Sequence, residues 1–218
     1  MTIVVKTMRQ ERGSATRDVI LATAERLFAE RGIHAVSNRQ ISEAAGQGNS
    51  AAVGYHFGTK ADLVRAIARK HTDQMEQLRV TMVADAAGST DVRDWVACLV
   101  RPFTGHLADL GSPTWYARFC VQVTSDPALH EIMIEQALTS ASLQMLVVGL
   151  HQCLPGLPPS VRDERSVMAR HLIAQICVER ERALAEGALT LYPSWDDLAA
   201  SLIDAIVGLW QATMTHRP

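Results

Sequence analysis

An all-α fold is the architecture this chain predicts, and three features of the sequence say so. Apolar residues recur at three- and four-residue spacing along most of the 218 residues, which lines one face of a helix. No segment keeps the two-residue alternation of a half-buried strand, and β-branched residues do not gather between turn pairs. The periodic stretches are punctuated as helices are, with glycine at their ends and Ser, Thr or Asp at their starts.

The elements follow in order. Residues 1–14 carry Lys6, Arg9 and Arg12 and read as a flexible basic arm. A first helix runs from about Ala15 to Arg31, with Ile20, Ala24, Leu27 and Phe28 on its apolar face and Gly32 as its stop. Ser37-x-x-Gln40 is a capping box that opens a second helix, which ends at Gly46. A short third helix runs from Asn49 or Ser50 to Phe57 and closes at Gly58. Thr59-x-x-Asp62 resembles another capping box and opens a long fourth helix striped by Leu63, Ile67, His71, Met75, Leu78 and Met82. A fifth helix, Asp91 to Leu110, contains Pro102, which should kink or split it. Ser112-Pro113 starts a helix to about Thr124, and Asp126-Pro127 starts a long one to about Cys153. Another runs from Ser160 to Glu186, stopped by Gly187. Ser194-x-x-Asp197 caps the last, which reaches about Met214. That makes about nine helices, with no internal repeat.

Composition narrows the function classes. Apolar residues make up 48% of the chain, enough for a sizeable core. No run of about 18 apolar residues suggests a membrane span, and Ile3-Val4-Val5 is too short for the apolar region of a signal peptide. A cytoplasmic protein is expected. Cys98, Cys120, Cys153 and Cys177 form no CxxC pair and read as buried thiols. His151-x-Cys153 supplies too few ligands for a metal. Neither a metal nor a cofactor is expected. No G-x-S-x-G elbow, H-E-x-x-H helix or P-loop is present, so an enzyme is not the expectation.

Net charge is informative only when the chain is split. Residues 1–71 hold 11 Lys/Arg against 6 Asp/Glu, a net +5, and residues 72–218 hold 10 against 17, a net −7. A basic head on an acidic body is the footprint of a nucleic-acid-binding head on a soluble body. The second and third helices, with a turn at Gly46, have helix–turn–helix length and punctuation, and in such a unit the second helix enters the major groove. Here that helix and its turn carry Gln47, Gly48, Asn49, Ser50, Ala51, Ala52, Val53 and Gly54. Small side chains let a helix sit deep. Asn49 and Ser50 suit base edges or phosphates, Ala or Val the thymine methyl. Ser37 and Thr59 stand at helix N-termini, where free N–H groups favour a phosphate. Arg39, Tyr55, His56 and Lys60 are further backbone candidates, and Phe57 reads as core.

The order Thr16-Arg17, Ile20-Leu21, Ala24, Leu27-Phe28-Ala29-Glu30-x-Gly32, Ile41, Ala44-Ala45-Gly46 and Tyr55-His56-Phe57-Gly58-Thr59-Lys60-x-x-Leu63 resembles the N-terminal domain of the TetR family of bacterial transcriptional repressors. Relative to the family's usual turn and recognition helix, Ala45 to Phe57 is one residue longer, and Gly54 stands where an aromatic is usual. The resemblance implies a DNA-binding domain over residues 15–71. It also implies a helical regulatory domain over 72–218 that forms a homodimer and binds a small effector. A dimer interface through the last two helices fits Leu198, Leu202, Ile203, Ile206, Val207, Leu209 and Trp210 together with Met168, Leu172, Ile176 and Leu184. Phe103, His106, Trp115, Tyr116, Phe119, Met133 and Met145 are candidates to line a pocket for an apolar effector, with core packing as the competing role. The expected function is a repressor that holds a palindromic operator as a dimer until an effector favours a spacing of the two heads that fits it poorly. The alternative is a helical interaction module without DNA binding.

Overall fold

In a computed structural model, backbone is described for residues 2–214 and side chains for residues 13–214. These residues form ten α-helices and no strand: α1 (Thr2–Arg31), α2 (Asn38–Ala44), α3 (Ala52–Phe57), α4 (Lys60–Asp85), α5 (Val92–Leu110), α6 (Tyr116–Ser125), α7 (His130–Thr139), α8 (Ala141–Gln152), α9 (Pro159–Ala185) and α10 (Trp195–Gln211). The all-α expectation holds. The chain divides into two compact units, Met1–Lys70 with Arg118–Met133, and His71–Ala117 with Ile134–Pro218. The first break falls within one residue of the boundary expected at residue 71, but residues 118–133 join the first unit.

Several boundaries differ from expectation for identifiable reasons. The segment expected as a flexible arm is helical from Thr2 onward. It contains no proline, and Gly13 costs a helix only about 1 kcal/mol. Met1 and the side chains of Lys6, Arg9 and Arg12 lie outside the described residues. Pro102 does not split α5. A mid-helix proline costs roughly 3 kcal/mol, and α5 offsets it by burying Trp95, Val96, Cys98, Val100 and Leu107. Pro113 and Pro127 lie in turns before α6 and α7 rather than in their first turns. The helix expected from Asp126 to Cys153 is two helices, bent by 80° at Ser140. There the Ser140 hydroxyl accepts the Leu143 N–H at 3.1 Å and caps α8.

In the first unit, Ile20, Leu27 and Phe28 of α1 are buried. The Phe28 and Phe119 rings stack with centroids 6.4 Å apart. His34 in the α1–α2 loop pairs with the Asp126 carboxylate, which ties the segment 118–133 to this unit. In the second unit, α5 packs on α10 and α8, and α10 on α9. The apolar stripe of α10, read from the sequence as a dimer surface, is buried in its own chain: Leu198, Leu202, Ile203, Ile206, Val207 and Trp210 are each below 10% exposed. Arg165 of α9 donates to the Trp210 and Ala212 carbonyls, both at 2.6 Å, and closes the end of α10. Val167 and Met168 on α9 and Ala205 and Gly208 on α10 remain exposed.

At one point in this unit two helices approach closely. A Cβ built at Gly149 of α8 would run into the six-membered ring of the buried Trp95. Gly149→Ala therefore overpacks the core by about 1–3 kcal/mol. In a chain of this size each kcal/mol lowers Tm by roughly 2–4 °C. Calorimetry should show the drop, and an unchanged Tm would mean that the ring has room to move.

Candidate nucleic-acid interface

Helices α2 and α3 and the turn between them form the unit expected from the sequence. The capping box at Ser37 is complete: its hydroxyl accepts from the Gln40 N–H at 3.2 Å, and Gln40 Oε1 accepts from the Ser37 N–H at 2.8 Å. Helix α2 ends in a Schellman pattern, with the Gln47 N–H on the Ser42 carbonyl, the Gly46 N–H on the Glu43 carbonyl and Gly46 at φ +66°. Ser42, fully buried, fastens the turn to α3: its hydroxyl donates to the Ser50 carbonyl at 3.2 Å and accepts from the Val53 N–H at 3.4 Å. At the far end Gly58 takes φ +80°, and its N–H meets the Gly54 carbonyl.

Apart from half-buried His56, the candidate DNA residues fall into three groups. Gly48, Asn49, Ser50, Ala51, Gly54 and Tyr55 are exposed along the turn and one face of α3. Tyr55 is 83% exposed, with its ring edge-on to His56 at 5.0 Å. Exposed Asn49 uses its Oδ1 to accept the Ala51 N–H at 2.9 Å, so this bond does not engage the carboxamide N–H groups.

A second group is oriented inward. Ala52 and Val53 are 7% and 0% exposed. They pack α3 onto its unit, so the expectation that Val53 meets a thymine methyl does not fit the geometry. The reason is periodicity: on a six-residue helix the side that buries Phe57 takes Val53 as well.

In the third group the polar groups already serve the fold. The Ser37 hydroxyl is in its capping box, and the Thr59 hydroxyl donates to Asp62 Oδ2 at 2.6 Å and accepts from the Asp62 N–H. The Thr59 hydroxyl and the Thr59 N–H, both donating to Asp62 Oδ2, hold the Asp62 carboxyl below the usual carboxylate range. The Gln47 amide donates to the Ala45 carbonyl at 3.0 Å. Arg39 pairs with Glu43 at 2.7 Å, and that hydrogen bond with the Glu43 charge raises the guanidinium's pKa. Half-buried Lys60 donates to the Ile33 and Val36 carbonyls at 3.0 and 2.7 Å, fastening the start of α4 to the α1–α2 loop.

Arg17 belongs to this region: the family resemblance takes in Thr16-Arg17, but the sequence reading does not place Arg17 among the DNA candidates. Its Nη1 donates to the His56 carbonyl at 2.9 Å, and its guanidinium lies 4.2 Å from the Phe57 ring centroid. The contact spans 39 positions, so no local pattern signals it.

The candidate effector residues separate. Phe119 is in the aromatic core of the first unit, and Met133 also belongs to that unit. Met145 is 54% exposed on α8, and Trp115 is half-buried. Phe103, His106 and Tyr116 do meet in the second unit: Tyr116 stacks on His71 at 3.9 Å and lies 5.9 Å from Phe103. His71 Nδ1 is 2.7 Å from His106 Nε2. His106 also lines an open cleft of about 360 Å³ with Gln74, Gln77, Leu78, Pro102, Asp109 and Leu110. This wall is half polar rather than apolar. Among the described residues no group of His, Cys, Asp and Glu is arranged to hold a metal, and no single helix is long and apolar enough to cross a membrane. Burial pushes the Cys177 thiol up to about 12.

Lys60 offers a direct test of structural against DNA-contact roles. Lys60→Met leaves two carbonyls without their donor, which costs about 1–3 kcal/mol. The DNA-free protein should melt earlier. An unchanged Tm would mean that these two bonds do not stabilise the fold.

Comparisons with known proteins give a family match over part of the chain and likenesses in fold. Residues 20–67 match the family model described as bacterial regulatory proteins, tetR family. The chain is similar in fold to the TetR-family transcriptional regulator PfmR from Thermus thermophilus. Identity is 16%, the alignment covers 92% of this chain and 98% of that one, and the TM-score is 0.50. A TetR-family regulator from Streptomyces coelicolor matches at 24% identity over 91% of this chain and 96% of that one, with a TM-score of 0.42. Among curated proteins, none matches.

Proposed function

We propose that this chain, whose residues 20–67 match the tetR-family model, is a DNA-binding transcriptional regulator of that kind, a repressor that binds a palindromic operator as a homodimer and is released by a small effector. The observation that carries the reading is the exposed edge Gly48–Ala51 and Tyr55, presented by a helix–turn–helix whose opposite side is core. One six-residue helix reads too few bases for a unique site, so two copies on half-sites a helical turn or more apart are required. The last two helices are the proposed interface. Val167 and Met168 supply the apolar contact, and Ala205 and Gly208 give room for close approach.

Within each half-site, Asn49 and Ser50 read base edges, and Tyr55 and His56 donate to phosphates. The net +5 of residues 1–71 supplies the long-range attraction. The effector is proposed to bind the second unit and to favour a state with lower operator affinity. Such coupling is typically worth about 1–3 kcal/mol. The regulator is expected to work in the cytoplasm, where the DNA is.

Mobility shifts with duplex from the chain's own upstream region test the reading. Affinity should fall steeply with salt, by a log–log slope of roughly −0.9 for each phosphate neutralised. Tyr55→Ala should weaken binding while leaving the Tm of the free protein nearly unchanged, because the side chain is almost wholly in solvent. Asn49→Asp keeps the acceptor that caps the turn and removes the amide donor. It should change the preferred sequence at one position in each half-site, by about 1–3 kcal/mol against the former base. Equal weakening on every sequence would remove Asn49 from base reading.

A further inference from the structure

Helix α3 has six residues and must be seated by its surroundings. Its first turn is held by Ser42, through the Val53 N–H and the Ser50 carbonyl. Its last turn is held from α1. There Arg17 donates to the His56 carbonyl at 2.9 Å while its guanidinium lies over the Phe57 ring at 4.2 Å. We propose that Arg17 is a positioning residue for sequence reading: it fixes the tilt and rotation of α3, so that the turn and the Tyr55 edge meet the base edges in register. The proposal rests on α3 being the reading helix.

The chemistry at Arg17 is specific to a guanidinium. A planar fork can donate in its plane and stack through its face at the same time, and an ammonium cannot. The carbonyl it meets is among the last of α3, where a positive charge also complements the helix dipole. The Ser42 anchor is buried, and the Arg17 anchor is solvent-exposed at the last turn of α3. Ser42 sets where the helix starts, and Arg17 sets where its end lies. Loss of either leaves the helix attached but free to rotate, and rotation by part of a turn moves Tyr55 off its contact.

A positioning role and a direct phosphate contact make opposite predictions. A phosphate contact contributes equally on every sequence, and its loss reduces the salt slope by about one unit. A positioning residue changes the difference between right and wrong sequences and leaves the slope alone. The test uses the full chain. Wild type first selects its preferred duplex from a random library. Wild type, Arg17→Lys and Arg17→Ala are then titrated against that duplex and a scrambled one between about 50 and 200 mM salt.

Both variants should lose about tenfold on the selected duplex and about twofold or less on the scrambled one, with parallel salt slopes. In the free protein the Gly58 amide, bonded to the Gly54 carbonyl, should exchange faster in both variants. Equal losses on both duplexes with a shallower slope would make Arg17 a phosphate contact and overturn the proposal. Full selectivity in Arg17→Lys would overturn the stacked fork, since charge alone would suffice. If Arg17→Ala loses helical circular dichroism, Arg17→Lys alone decides. A wild type that selects no sequence would remove base reading by α3, and the positioning role with it.

Discussion

The shortness of α3 is the constraint on which the DNA-binding unit is built. An isolated helix needs about 12–15 residues to be even marginally stable in water, and this one has six. Its hydrogen bonds cannot maintain it, so packing and side-chain ties must. Val53 and Phe57 anchor it by burial, Ser42 ties its start, and Arg17 ties its end. The next layer holds those anchors: the Gly46 stop orients the turn, and Lys60 joins the α1–α2 loop to α4. A short helix held this way can be exposed on one side without unfolding, as a groove-reading element requires.

That arrangement uses polar groups that look, by type and place, like DNA ligands. The hydroxyls of Ser37 and Thr59 close capping boxes, and Lys60 and Arg17 sit on backbone carbonyls. Buried carbonyls are costly to leave without donors, and a small domain has few side chains to spare. The basic charge of the head therefore does two jobs at different ranges. As a field it attracts a polyanion over roughly a Debye length, about 10 Å at 0.1 M salt. At contact range several of its carriers hold the fold, and the proposed direct contacts are left to the exposed Tyr55, Asn49 and Ser50.

What was legible in the sequence was what local chemistry decides. The capping boxes at Ser37, Thr59 and Ser194 and the stop at Gly46 each need only four to six consecutive residues. The helix–turn–helix followed from them, and so did the exposure of Asn49 and Tyr55. Ser140 was legible in principle but is hidden in a continuous apolar pattern, since α7 and α8 both bury one face. Contacts between distant positions were not legible. Arg17 with His56, Lys60 with Val36 and Phe28 with Phe119 depend on how helices pack, which periodicity does not encode. The inward orientation of Ala52 and Val53 was missed because a six-residue helix is too short to show its own stripe.

The place of Phe119 changes what counts as the DNA-binding domain. The residues matching the family model end at Ile67, yet the compact unit takes in Arg118–Met133 as well. Phe119 completes an aromatic pair with Phe28, and Asp126 binds the loop that follows α1. That loop also supplies the Ile33 and Val36 carbonyls that hold Lys60. A head cut at residue 71 would therefore expose the Phe28 ring and free the loop on which the start of α4 rests. The chain passes between the two units within α4, α6 and α7, at Lys70, Ala117 and Met133. Under the proposed effector control, a ligand acts on the head only through a difference in its affinity for two states of the second unit.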